Sequence, residues 1–346
     1  MPKRSFYVRD SELDEYQVKV INKKTDNSFI VKGCAGSGKS ILALWKAKDI
    51  QNKGLGTYQF IVFTKALMQY MADGVSQIGI EADNVDYYHN WKKMSPSADY
   101  IIVDEAQDFS KEDILLFQSK ANKALLLYGD SAQQLYKFIP NKTPVSMEEI
   151  IVLTGFQDEK LVYNHRLPKK VARLAQHIST VNDDLEIRCK NEGVEKPKIL
   201  QYDSLNAQLD AIAEIIKNRN FEDVGILFRH NEDVKRAYDY LSAKGLNIEA
   251  KYEDKEDWRN GKMSLNFNSD NPKLLTYHSS KGLQFETVFL PECTCQNQDD
   301  QNPLYVAITR TYQSLYIMHS GHLSIFFDAV PINLYETSLT GNTELL

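Results

Sequence analysis

The chain has 346 residues, 42% hydrophobic and 25% charged, a composition that fits about two folded domains with sizeable cores. A formal net charge of −6 excludes bulk attraction to nucleic acid, so any such contact must come from a locally basic groove. Four scattered cysteines, an N-terminus without an apolar core and no run of membrane-spanning length point to a cytoplasmic protein with no disulfide framework and no membrane partner.

A capping-type acidic start at Ser11-Glu-Leu-Asp-Glu15 predicts a helix over 13–23. An apolar strand over 29–32 then enters Gly33-Cys-Ala-Gly36-Ser37-Gly38-Lys39-Ser40, and a helix is expected over 39–52. Gly33-x-x-x-x-Gly38-Lys39-Ser40 is the P-loop pattern in its strand–loop–helix context. Its glycines allow successive backbone N–H groups to wrap a triphosphate, which places Gly33, Gly36, Ser37, Gly38, Lys39, Ser40 and Ile41 around ATP. Lys39 can reach the β- and γ-phosphates, and the Ser40 hydroxyl can bind Mg²⁺. A glycine turn with a surface lysine is the bland alternative, and it leaves the flanking strand and helix unexplained.

Strands over 58–64, 85–88, 99–104 and 123–130 alternate with helices over 65–73 and 111–121. That rhythm predicts an α/β fold with a parallel sheet covered on both faces and ligands at the carboxyl ends of its strands. It restarts after 148, with strands over 149–154, 198–202, 224–229, 273–278, 287–291 and 314–319. Helices are expected over 169–179, 204–217, 232–244 and 304–310, a polar loop or small hairpin over 252–271, and a frayed tail from 335. Two domains follow, 1–148 and 149–346, the second without a P-loop.

The strand ending Ile101-Ile-Val-Asp104-Glu105-Ala-Gln107-Asp108 places paired carboxylates downstream of the P-loop. Asp104 would hold the Mg²⁺ water shell and Glu105 would polarise the attacking water as general base, with a helix-capping acid as the bland reading. Phosphoryl transfer also needs positive charge against the γ-phosphate. Arg166 in Asn164-His165-Arg166 and Arg310 in Thr309-Arg310 are the candidates, although either alone reads sooner as an ion-pair residue.

Taken in order, these residues resemble superfamily 1 helicases of the UvrD/Rep type over nearly the whole chain. Leu13-Asp-Glu-Tyr-Gln17 resembles the adenine-reading Q motif, with Gln17 as the reader. Phe63-Thr64-Lys65-Ala66 is similar to motif Ia, Tyr88-His89-Asn-Trp91 to the motif after it, and Asp104-Glu105-Ala-Gln107 to motif II. Gly129-Asp130 through Gln133, Tyr136 and Phe138 is similar to motif III, with Gln133 as γ-phosphate sensor. Asn164-His165-Arg166 matches motif IV, Thr276-Tyr-His278 through Lys281-Gly282-Leu-Gln284 motif V, and 305–310 motif VI.

The resemblance implies two RecA-like domains with ATP and Mg²⁺ in the cleft between them and single-stranded DNA, or a single-strand–duplex junction, across their top. His165, Gly282 and Gln284 would join the nucleotide site. Phe63, Thr64, Lys65, Tyr88, His89, Trp91, Tyr136, Phe138 and His278 would contact the strand, as aromatic platforms and polar partners. The implied activity is ATP-driven translocation or unwinding, 3′ to 5′; nothing in the sequence reads a 2′-OH, so RNA stays open.

Four positions depart from the family pattern. His165 stands where the family stacks a tyrosine on adenine, Ile41 where it has arginine and Gln284 where it has glutamate, and Gln301-Asn-Pro303 replaces the charged residues before motif VI. The stretches before motif II and between motifs IV and V are too short for the family's accessory subdomains, so a minimal form is expected. An alternative follows from that: an ATP-gated DNA-binding subunit of a DNA-repair or phage-defence complex, with a protein partner supplying the missing functions. A P-loop kinase would need an acceptor site and leaves motifs III, V and VI without a role.

Overall fold

The computed structural model describes residues 12–130, 143–180, 184–254, 259 and 261–338. The chain divides into two compact units, Met1–His165 and Arg166–Leu346. The expected boundary after 148 falls early, because residues 149–165 pack with the first unit.

The first unit runs α1 (Glu15–Asn22), β1 (Phe29–Gly33), α2 (Lys39–Asn52), β2 (Tyr58–Val62), α3 (Lys65–Ile78), β3 (Val85–Tyr87), α4 (Tyr88–Met94) and β4 (Ala98–Val103). It continues with α5 (Lys111–Lys120), β5 (Ala121–Gly129), α6 (Met147–Thr154) and β6 (Gln157–Leu161). Its described strands form a parallel sheet in the order β3-β2-β4-β5-β1-β6. Such a sheet needs cover on both faces, and its strands are accordingly apolar on both sides. Trp91, Phe109, Ile114, Phe117, Met147 and Ile150 close one face over Ile30, Ile61, Ile101 and Leu127, while α2 and α3 pack on the other. The order places β1 between β5 and β6, with the loops after β1, β4 and β5 at one edge of the sheet, where open α/β sheets bind ligands.

One expected strand is a helix. Residues 149–154 read as a β-branched apolar run, yet they lie in α6. The Ser146 hydroxyl accepts from Glu149 N at 3.2 Å, and Glu149 Oε2 accepts from Ser146 N at 2.7 Å. This capping box satisfies two otherwise orphaned N–H groups, and Gly155, at φ 68°, ends the helix. β6, which the sequence reading lacked, then returns the chain to the sheet beside β1.

The second unit follows β7 (Asn164–Pro168), which crosses the boundary. It contains α7 (Lys169–Ile178), α8 (Leu185–Arg188), β8 (Cys189–Asn191), β9 (Lys198–Gln201), α9 (Leu205–Arg219), β10 (Val224–Phe228), α10 (Asn231–Ala243) and β11 (Glu249–Tyr252). Then come β12 (Lys262–Ser264), β13 (Lys273–Thr276), β14 (Phe285–Leu290), α11 (Gln301–Ile308), β15 (Thr311–His319) and β16 (Glu336–Ser338). Its sheet has the order β12-β11-β13-β10-β14-β15-β9-β16, parallel except for the antiparallel β11–β12 pair. Of that pair, β12 lies within the 252–271 expected as a loop or small hairpin, while β11 lies before it except for Tyr252. The tail expected to fray from 335 instead supplies β16, paired with β9. Leu209, Ile212, Val234 and Leu241 from α9 and α10 pack against Ile226, Leu274 and Phe289 of the sheet. Among the described residues, no helix is long and apolar enough to cross a membrane.

Candidate nucleotide site and nucleic-acid face

The P-loop lies between β1 and α2. Gly38 caps α2 at φ 88°, a left-handed conformation that favours glycine, and a Cβ there would come within 2.8 Å of Gln17 Nε2. Gln17 is buried with both ends of its amide bonded: Nε2 donates to Ser37 O at 3.0 Å, and Oε1 accepts from Asp14 N at 3.2 Å. Asp14 caps α1 through Tyr16 N and Gln17 N and also meets His165 Nε2 at 2.7 Å. His165 N donates in turn to Gly36 O at 3.1 Å. Gln17, Asp14 and His165 thus brace the loop from one side. Tyr163, with ring centroids 5.7 Å from Tyr16 and 6.5 Å from His165, completes an aromatic group beside them. Asp14, Tyr16 and Tyr163 were not picked out from the sequence; the Asp14–Gln17 capping-box spacing was the available signal for the first.

The phosphate side of the site fits ATP and Mg²⁺ on three observations. Lys39 is folded back, its Nζ donating to Gly33 O at 2.7 Å and Cys34 O at 3.0 Å, so its charge rests on loop carbonyls that a phosphate would replace. The Ser37 hydroxyl is buried with no partner among the described residues, a donor suited to a phosphate oxygen. Ser40 Oγ donates to Asp104 Oδ2 at 2.6 Å, which joins the two expected Mg²⁺ positions. Ile41 is buried in the first turn of α2.

Asp104 follows β4 and is wholly buried, with Glu105 N donating to its Oδ1 at 3.0 Å. Burial first, then the neighbouring Glu105 charge, push the Asp104 carboxyl up to about 6, against the opposing pulls of Ser40 and Lys39. A carboxylate in that position calls for a cation. Glu105 sits at φ 56°, a left-handed conformation that costs a side-chain-bearing residue on the order of 1 kcal/mol or more and is often held at functional sites.

Gln107, which the sequence reading used only as a letter of motif II, is fully buried and bridges two motifs. Its Nε2 donates to Glu105 Oε2, and its Oε1 accepts from Asp130 N at 2.9 Å. Gly129 makes room for this bridge, since a Cβ there would press on Gln107 Oε1 and Met147 Sδ. Gln133, Tyr136 and Phe138 lie outside the described residues.

The expected strand contacts divide. Phe63, Thr64 and Lys65 follow β2 and His89 follows the neighbouring β3, at the same edge of the sheet as the P-loop. Lys65 and His89 are exposed and Phe63 is half-buried, its ring edge-on to Phe109 at 5.2 Å. Thr64 caps α3, its hydroxyl accepting from Leu67 N at 3.1 Å. Tyr88 and Trp91 are not platforms: they are 0% and 2% exposed and belong to the core between α4, α5 and the sheet. The Tyr88 hydroxyl donates to Asp113, which Lys92 also reaches at 2.9 Å. Burial and that carboxylate push the Tyr88 phenol up to about 12.

In the second unit, the Arg166 guanidinium donates to Gln284 Oε1, which links motifs IV and V. Gly282, at φ 77°, turns the motif V loop, and His278 is exposed on it. Arg310 is 2% exposed, donating from Nε to Val306 O at 2.8 Å, from Nη1 to Leu283 O at 3.4 Å and from Nη2 to Thr309 Oγ1 at 3.1 Å. It binds the end of α11 to motif V.

Comparison with known proteins matches residues 12–136 to the AAA domain family and residues 273–318 to the UvrD-like helicase C-terminal domain family. A candidate ATP-dependent DNA helicase of Acanthamoeba polyphaga mimivirus, R568, is 22% identical over 267 residues, which are 68% of this chain and 37% of that relative. The chain therefore spans little more than a third of the length of the curated relative it matches. Among solved structures, the PRRSV helicase has a TM-score of 0.47 at 16% identity, over 88% of this chain and 54% of that one. Arterivirus nonstructural protein 10, a helicase, has 0.46 at 16% identity, over 91% and 63%. The C-terminal domain of a possible DNA helicase from Lactobacillus plantarum has 0.39 at 16% identity, over 50% and 98%. The order of motifs from Gln17 to Arg310, with an AAA match within the first unit and a UvrD-like match within the second, makes the chain similar to UvrD-like superfamily 1 helicases in both units.

Proposed function

We propose that the chain hydrolyses ATP and couples hydrolysis to movement on single-stranded DNA or to its unwinding, 3′ to 5′. The observation that carries this reading is the Ser40–Asp104 hydrogen bond of 2.6 Å beside a buried Glu105. Ser40 and Asp104 would hold Mg²⁺, largely through water, and the ion would supply charge neutralisation at the phosphates. Lys39 would exchange its loop carbonyls for phosphate oxygens. Glu105, oriented by Gln107, would take the proton of the attacking water. Arg166 and Arg310 would supply the remaining positive charge, and for Arg310 this requires release from Val306 O and Leu283 O. Phe63, Lys65, His89 and His278 are left as the described candidates for the strand.

The test is steady-state ATPase without nucleic acid and with single-stranded DNA, duplex and RNA, across a salt series. Single strands should raise turnover, steeply less so at high salt. Lys39→Ala and Glu105→Gln should abolish it. Turnover indifferent to every nucleic acid overturns the coupling, and duplexes with 3′ or 5′ tails decide polarity. The short connection from Met94 to Ala98, and the loss of Tyr88 and Trp91 as contacts, favour a second reading as an ATP-gated subunit of a larger complex. Robust unwinding by a clean monomer rules that reading out.

A further inference from the structure

The first unit has a second basic feature, unrelated to any helicase motif. At the end of α1 and α2 remote from the P-loop, a cavity of about 760 Å³ is lined by Lys23, Lys24, Lys46, Lys48 and Lys53. Asp26 and Asp49 line it too, and Glu159 pairs with Lys23 at 2.9 Å, which leaves a local excess of two positive charges in a chain of net −6. Lys46 is 2% exposed, and its Nζ donates to Ile21 O at 2.7 Å and to Lys23 O at the exit of α1. Lys53 pairs with Asp49 at 2.8 Å in an exposed contact, and Lys24 forms no ion pair with another described residue. Burial above all, with Lys53 and Lys23 adding and Asp49 opposing, pulls the Lys46 ammonium down to about 8. Like charges held together in this way are relieved by an anion.

We propose that this cavity binds a phosphate-bearing small molecule of nucleotide size. Its volume lies within the range of about 300–1,000 Å³ typical of small-ligand sites. Lysine ammoniums meet phosphate oxygens as point charges, and Trp45 lends an indole to the same wall for a base. Free oligophosphate and nucleotide share the phosphate chemistry and differ in their use of Trp45. The site also has a route to the P-loop. α2 runs from Lys39 to Asn52, about 20 Å. Gln17 in α1 holds Ser37 O, and Lys46 ties the exit of α1 to α2. A ligand at the cavity therefore acts on both helices that support the phosphate loop.

The test uses the full chain carrying Lys39→Ala, so that binding is read independently of ATP hydrolysis. Inorganic tripolyphosphate and ADP are titrated by calorimetry at low and high salt. Saturable binding of one equivalent is expected, weaker at high salt. Lys24→Glu with Lys53→Glu, both exposed, should weaken both ligands by about tenfold or more, since two reversed charges turn attraction into repulsion. Trp45→Phe should weaken ADP and spare tripolyphosphate if a base is read, and should spare both if only the oligophosphate is held. Should the double variant melt early, Lys24→Gln alone, expected to weaken binding about twofold to fivefold by removing one exposed charge, replaces it. Binding lost with Lys39→Ala, or unchanged by the lysine substitutions, overturns the proposal.

Discussion

The bridge made by Gln107 can be tested by changing one atom pair. Gln107→Glu keeps the side-chain shape and leaves an oxygen to accept from Asp130 N, now 2.9 Å away, but it replaces the amide that donates to Glu105 with a second carboxylate oxygen. Two buried carboxylates in hydrogen-bond contact share a proton and titrate as a pair, which raises the apparent pKa of the base by about 1–3 units. Raised by that much from the ordinary glutamate range, the base would titrate between about pH 5 and pH 7, so kcat should fall at most about threefold at pH 7, by up to about 20-fold at pH 6, and recover toward pH 9. Nucleotide affinity, carried by the P-loop, should change little. Losing the charge-assisted bond should also cost about 1.5–3 kcal/mol of stability, roughly 2–4 °C per kcal/mol for units of this size. Gln107→Leu is the control: it removes both bonds, costs about 2–5 kcal/mol and should lower kcat equally at every pH. The assay is ATPase between pH 6 and pH 9 with thermal melting alongside. A Gln107→Glu profile parallel to that of the unchanged chain would refute the idea that Gln107 sets the state of Glu105.

Three further outcomes follow from the geometry. Tyr88→Phe should cost about 1–3 kcal/mol, because it leaves the buried Asp113 short of a donor, while single-strand affinity stays within about twofold; Lys65→Ala should do the reverse, as read by melting and by fluorescence anisotropy. Ser146→Ala should cost about 1 kcal/mol in denaturant titration by opening the capping box of α6, with its midpoint shifted and its slope kept. Asp104 titrates near 6 when folded, above its ordinary value in an unfolded chain, so the stability linked to its proton is present below about pH 4 and is lost as pH rises through 6. Mg²⁺ held by Asp104 would take the place of that proton, so the rise in melting temperature on adding Mg²⁺ should grow between about pH 5 and pH 7 and vanish with Asp104→Asn.

What was legible in the sequence depended on whether one local signal could have only one physical meaning. α2 was read to its end residues because a glycine-rich turn into Lys39 and a polar exit after Asn52 leave no other period. The run Ile150-Ile-Val-Leu153 has two meanings, since β-branched residues favour strands and a short apolar run lacks period. The decision lay one step outside it, in the Ser146–Glu149 cap. The same rule divides the candidate site. The grouping of Lys39, Ser40, Asp104 and Glu105 was legible because a P-loop followed by a strand with paired acids brings these residues to one edge of the sheet. Tyr88 and Trp91 were not, because an aromatic beside a motif serves equally as platform or core. What settles Tyr88 is Asp113 on α5, a carboxylate that both caps its own helix and receives the phenol. No spacing within Tyr88–Trp91 reports that partner. Lys65 and His89 are exposed where β2 and β3 end side by side, so the charge and ring that a strand could meet in the first unit lie at that edge, next to the turn that carries Asp104 and Glu105. A strand bound there would touch the loops whose positions Gln107 and Thr64 hold, and a nucleotide at the P-loop would then have a short mechanical path to it without Tyr88 or Trp91.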